Sequence, residues 1–207
     1  MKKTKEKILL TAHRLFNEQG VAAVSIRKIA ATLEISHTNL IYHFKTKQEL
    51  IEALHQQILE AAIKLNQEVR MGPNMLEGLW EATKGGFRIL YDYRFFMIDL
   101  VYIMKENKQL HHRFLEIEQI RSEMYQDMIN KAIQQGLMRD VYYPDEYQQL
   151  ITHIRIFSDF WISSAAIYSS EDPQTVIDQH AKLLLDLFFP YLTVKGRKAY
   201  RVLLEAS

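Results

Sequence analysis

Apolar residues recur three and four positions apart along most of this chain, and the places where that rhythm stops divide it into helices. Ile8, Leu9, Ala12, Leu15 and Phe16 form one stripe, which predicts a first helix over about 5–19, with Thr4 placed to cap it and Gly20 supplying a left-handed stop. Ser25 is placed to cap a short second helix that turns Ile26, Ile29, Ala30 and Leu33 inward. After Glu34-Ile35-Ser36, the serine is placed to cap a third short helix over about 37–44, with Leu40 and Phe44 facing the core. Two short helices joined this tightly predict a helix-turn-helix over about 26–45. A fourth helix is expected from about 47 to 70, its inner face made of Leu50, Ile51, Leu54, Ile58, Ala61, Ala62 and Leu65.

Met71-Gly72-Pro73-Asn74 is strong punctuation, because proline disfavours helix at the residue before it and glycine ends helices easily. Two domains are therefore expected, 1–62 and 63–207. In the second, helices are predicted over about 75–91, 95–105, 108–135, 145–169, 173–189 and 195–205. Gly136 closes the third of these, and Asp172-Pro173 opens the fifth as a cap followed by proline at the first helical position. The fold class is all-α. The helix over 145–169 is apolar on two faces, one carrying Leu150, Ile151, Ile154, Phe157, Trp161 and Ala165, the other Ile156, Phe160, Ser163 and Ile167. A helix apolar on two faces needs two neighbours. The next helix repeats the pattern, so a homodimer through about 145–189 is expected, with the small run Ser163-Ser164-Ala165-Ala166 permitting close approach.

With 207 residues and 48% hydrophobic content, the chain can bury a substantial core. Cysteine is absent, which excludes disulfides and thiolate metal sites and fits a reducing cytoplasm. The apolar start Ile8-Leu9-Leu10 is interrupted at once by Thr11, His13 and Arg14, so no secretory signal is expected. The window 87–104 carries Arg88, Asp92, Arg94 and Asp99, which predicts no membrane span. Net charge is only +1, yet residues 1–50 hold nine basic against four acidic side chains, +5, leaving −4 for the remainder. A basic small segment joined to a slightly acidic large one is the footprint expected when one end meets phosphate. No Gly-rich phosphate loop, Gly-x-Ser-x-Gly or His-Glu-x-x-His occurs, and the adjacent His111 and His112 diverge on a helix. An enzyme, a metal site and a cofactor are not expected.

The stretch from Ser25 to Leu50, SIRKIAATLEISHTNLIYHFKTKQEL, resembles the DNA-binding signature of the TetR family of transcriptional regulators, and IL-TAHRLF-EQG in the first helix is similar too. The resemblance covers about residues 4–60. It implies an N-terminal three-helix DNA-binding domain followed by a larger helical domain that dimerises and binds a small-molecule ligand. The implied function is sequence-specific regulation of transcription, as a repressor that a ligand releases from a palindromic double-stranded operator. It also implies that Tyr42, His43 and Lys47 hold backbone phosphates and that Arg27 approaches backbone or groove.

The residues support this reading independently. Ser36, His37, Thr38 and Asn39 form a first helical turn free of core duties, and such turns read base edges in the major groove. Asn39 can pair with an adenine edge, and the Thr38 methyl can meet thymine. Lys28 and Lys47 both lie near helix N-termini, where the macrodipole disfavours cations and a phosphate resolves the conflict. Two positions depart from the family pattern. Glu34 stands where glycine is common, which costs up to about 1 kcal/mol at positive φ and predicts a remodelled turn. Ile41 stands where a tyrosine usually reaches phosphate, so Tyr42 is expected to do more. Trp80, Phe87, Tyr91, Tyr102, Phe157 and Trp161 are candidates for lining a ligand pocket between helices. The competing reading keeps the fold as a helical ligand-binding or protein-binding dimer without DNA function.

Overall fold

A computed structural model describes residues 2–68 and 75–206, and the punctuation at 71–74 lies outside them. The elements are α1 (Lys2–Gln19), α2 (Ile26–Thr32), α3 (His37–His43), α4 (Lys47–Glu68), α5 (Met75–Asp92), α6 (Arg94–Ile98), α7 (Leu100–Glu106), α8 (Lys108–Gln134), α9 (Glu146–Tyr168), α10 (Pro173–Asp186), a 3-10 turn (Phe189–Tyr191) and α11 (Val194–Ala206). No strand occurs among the described residues, and no helix there is long and apolar enough to cross a membrane.

Three expected helices differ in their bounds. Thr4 does not cap α1, which already runs at Lys2. The single helix expected over 95–105 is two, α6 and α7, meeting at Asp99. There Asp99 still donates its N–H to Phe95 and accepts from Ile103, both at 2.9 Å, so the backbone bends at a residue whose carboxylate is used elsewhere. The helix expected to reach 189 ends at Asp186; Leu187 and Phe188 close it with tight bonds to Leu184 and Leu185 ahead of Pro190, which has no N–H to continue.

The chain forms two compact units. The first takes residues 1–63 together with 89–112. Ile8, Ala12, Phe16, Ile29, Leu40, Leu50 and Leu54 fill its core, and Phe95 from α6 packs its ring 5.2 Å from that of Phe16. The stripes predicted for the first three helices and for α4 as far as Ile58 thus supply this core, while Ile26, Leu33, Ala61, Ala62 and Leu65, also expected inward, are only half-buried; residues 92–107 pack onto α1. The second unit takes 64–88 and 113–207. Its core includes Leu76, Trp80, Phe87, Ile129, Leu150, Ile154, Trp161, Val176, Leu184 and Phe188. Gly136 ends α8 at a φ of 69°, as expected. Gly196 lets α11 press onto that end: a Cβ there would lie 2.1 Å from the Leu137 carbonyl oxygen. The start of α9 is tied down by a two-pronged ion pair, Arg139 Nη2 to Glu146 Oε1 at 2.6 Å and Nη1 to Oε2 at 2.9 Å.

Candidate nucleic-acid interface

Local capping builds the helix-turn-helix. The Ser25 hydroxyl accepts the Lys28 N–H at 3.2 Å, and the Ser36 hydroxyl accepts the Asn39 N–H at 3.1 Å. Each serine is extended, so the chain enters each helix from a β-like residue. The turn between them passes through Glu34 at a φ of 55°, with Glu34 N–H bonding the Ala31 carbonyl and Ile35 N–H bonding the Ala30 carbonyl, both at 3.1 Å. Glu34 thus takes the left-handed conformation without being glycine, and two backbone hydrogen bonds close the end of α2 around it.

Ser36 is committed as a cap, leaving His37, Thr38 and Asn39 exposed on the first turn of α3. No described residue occupies their side-chain polar atoms. Leu40 and Phe44 anchor the opposite side of α3 in the core. At the far end of α3, Tyr42 is 70% exposed and meets the half-buried His43 ring edge-on at 5.3 Å, while Ile41 is half-buried. Arg27 and Lys28 are both exposed on the first turn of α2, and the Lys28 ammonium reaches the Gln19 side-chain oxygen. Lys47 is placed differently. Its half-buried ammonium donates to the Val21 carbonyl at 2.8 Å and stands 6.0 Å from the centre of the Tyr102 ring, so one of its three donors is already used.

Sequence reasoning missed the polar fastenings behind this surface. Asn17 donates to the Asp92 carbonyl at 2.7 Å and accepts the Phe95 N–H at 3.1 Å; His13 Nε2 lies 2.6 Å from the same carbonyl, and the Asp99 carboxylate accepts the Val21 N–H at 2.7 Å. These partners are more than seventy residues apart, and no periodicity signals them.

The six candidate pocket residues do not gather into one group. Phe87, Phe157 and Trp161 cluster in the second unit, with Phe87 stacked on Trp161 at 4.6 Å and 6.3 Å from Phe157. His180, missed by the sequence reading, joins them 5.0 Å from Trp161, held by a 2.7 Å bond from Nδ1 to the Val176 carbonyl. Trp80 is buried in the same unit beneath the Lys84 ammonium. Tyr91 and Tyr102 belong to the first unit. A cavity of about 310 Å³ is lined by Ser164, Tyr168, Ser169, Gln179 and His180 among others, and one of about 260 Å³ by Leu65, Lys84, Arg88, Gln174 and Ile177 among others. None of the six lines either cavity. Asp159 is buried against Arg121 at 3.2 Å; burial raises its carboxyl pKa and the guanidinium opposes the rise. Among the described residues no group of three or more His, Asp or Glu side chains is arranged to hold a metal ion.

Two family profiles match the sequence. The one described as bacterial regulatory proteins, tetR family, matches residues 8–54, and one described as a bacterial transcriptional repressor of the TetR type matches residues 39–200. An uncharacterized HTH-type transcriptional regulator of Bacillus subtilis, YerO, is 26% identical over 146 residues, 68% of this chain and 50% of the relative. A probable HTH-type transcriptional regulator of the same organism, YttP, is 36% identical over 61 residues, 30% of each chain. The match thus spans half the length of the first curated relative and less of the second. A TetR-family transcriptional regulator from Marinobacter aquaeolei has a similar fold, with a TM-score of 0.85 at 24% identity over 98% of both chains.

Proposed function

This chain belongs to the TetR family of bacterial DNA-binding transcriptional regulators, and from that premise we propose that it represses transcription as a homodimer on a palindromic operator and is released by a small-molecule ligand. The observation that carries the DNA reading is the first turn of α3, where the Ser36 hydroxyl caps the helix yet keeps its own O–H to donate, and His37, Thr38 and Asn39 stand exposed beside it. These three read base edges. Tyr42, His43, Arg27, Lys28 and the two remaining donors of Lys47 hold the phosphates on either side.

Dimerisation rests on the second face of α9. Ile156, Phe160 and Ile167 are 52%, 45% and 73% exposed, share one side of the helix with Ser163, and have Leu183 of α10 as an exposed apolar companion. A face this apolar is covered in solution, and a two-fold contact of α9 and α10 with a second copy covers it with itself. Two reading heads then meet successive major-groove faces, about one helical turn apart or a multiple of it.

The ligand is assigned to the second unit, to the cavity lined by Ser164, Tyr168, Gln179 and His180, where His180 also meets the rings of Phe157 and Trp161. Its entry shifts the population of states through α4, which runs unbroken from Lys47 in the first unit to Glu68 in the second. Such a regulator acts in the cytoplasm. Fluorescence anisotropy with duplex DNA from upstream of its own gene tests the reading. Binding that weakens steeply as salt rises is expected. A protein that ignores this duplex at low salt is instead a dimer without DNA function.

A further inference from the structure

Both backbone polar groups of Val21 are held by charged side chains. Its N–H donates to the Asp99 carboxylate at 2.7 Å, and its carbonyl accepts from the Lys47 ammonium at 2.8 Å. Val21 is fully buried and follows Gly20, whose φ of 77° ends α1. The Asp99 oxygen lies 3.5 Å from where a Gly20 Cβ would stand, so the carboxylate rests on the bare turn. Four residues beyond Val21 is Ser25, the cap of α2. The backbone beyond Val21 leads directly into α2, and α2 leads through the tight turn into α3.

We infer that Asp99 is a positioning residue for DNA reading: through the Val21 peptide it sets the angle at which α2 and α3 leave α1. The inference rests on the DNA-reading function proposed above. Apolar packing alone lets one helix slide on another, whereas a carboxylate–amide bond is directional and roughly twice as strong as a neutral one. Asp99 sits at the bend between α6 and α7, and that segment is fastened to α1 a second time by Asn17, which holds both the Asp92 carbonyl and the Phe95 N–H. Two polar fastenings, one at the last turns of α1 and one just past its end, fix residues 92–99 against the helix that leads into the reader. Asp99 touches no base and no phosphate in this account. Its removal leaves every cation that holds a phosphate in place and misaims the side chains that read.

The test compares wild type, Asp99→Ala and Asp99→Asn on two duplexes, an operator obtained by selection and a scrambled sequence of equal length, across a salt series. Asp99→Ala is expected to weaken operator binding about tenfold and scrambled binding less than about twofold, the loss of one charge-assisted bond expressed only where alignment matters. The salt slope stays at the wild-type value. Asp99→Asn keeps an acceptor oxygen over the Val21 N–H and restores operator binding to within about threefold. Unchanged operator binding by Asp99→Ala, or equal losses on both duplexes in proportion to the fraction folded, overturns the inference. If Asp99→Ala does not fold, Asn17→Ala is measured against the same expectations. Failure of the wild type to discriminate between the duplexes overturns the DNA-reading function, and the role of Asp99 with it.

Discussion

Glu34 holds a left-handed backbone without being glycine, and the turn it serves survives because Glu34 and Ile35 both bond back to the end of α2. Glu34→Gly is therefore expected to raise stability by up to about 1 kcal/mol, read as a higher urea midpoint with an unchanged slope. A lower midpoint would mean that the glutamate side chain contributes something the strain argument omits. On the reading turn, Asn39→Ala should relax preference at one base pair of each half-site, whereas Tyr42→Phe should weaken all sequences alike; competition binding against single-base operator variants separates the two. The caps at Ser25 and Ser36 were legible in the sequence because a cap and its partner lie three residues apart. Asp99 and Asn17 were not, because their partners lie more than seventy residues away and a carboxylate on a helix ordinarily signals nothing but solvent. Lys47 was legible as a charge in need of a partner. Part of that need is met within the protein, by the Val21 carbonyl.

Most helices were recovered from apolar spacing to within a residue or two, and two of the three exceptions share a feature. The breaks at Asp99 and after Asp186 depend on a carboxylate committed to a distant amide and on tight closure before Pro190, neither of which alters the spacing of apolar residues. Gly196 shows the converse, an unremarkable glycine in a helix whose missing side chain admits the Leu137 carbonyl. Gly196→Ala should cost about 1–3 kcal/mol, seen as a lower melting temperature, because backbone and not a flexible side chain must give way. At the start of α9, hydrogen bonding from Arg139 holds the Glu146 carboxyl well below its ordinary value of 4.5, at about 2. A carboxyl depressed on folding contributes stability that is complete above its unfolded value and is lost as pH falls through the folded one. The melting temperature of the wild type should thus fall between about pH 4.5 and pH 2, and Glu146→Gln should show a shallower fall over that window while melting lower at pH 7. An equally steep acid limb in the variant would remove Glu146 from the account.

For the whole molecule, fold class and the location of the DNA reader were legible because a helix-turn-helix is a local structure with local caps. The interior of the second unit was less so. Spacing alone did not separate Phe87, Phe157 and Trp161, which cluster, from Tyr91 and Tyr102, which belong to the first unit, nor did it reveal His180. The second apolar face of α9 was legible, since residues left exposed among the described residues still repeat at helical spacing. Phe160→Arg should accordingly convert a dimer to a monomer by light scattering at micromolar concentration and lower operator affinity by at least about tenfold, because one head binds where two did. The claim on which all of this depends is that two copies of α3 read DNA together. Selection of bound duplexes from a random pool measures that directly: the account predicts an enriched motif with two-fold symmetry and half-sites about one helical turn or a multiple apart. Enrichment of no sequence, or of a single unrepeated half-site, would contradict it.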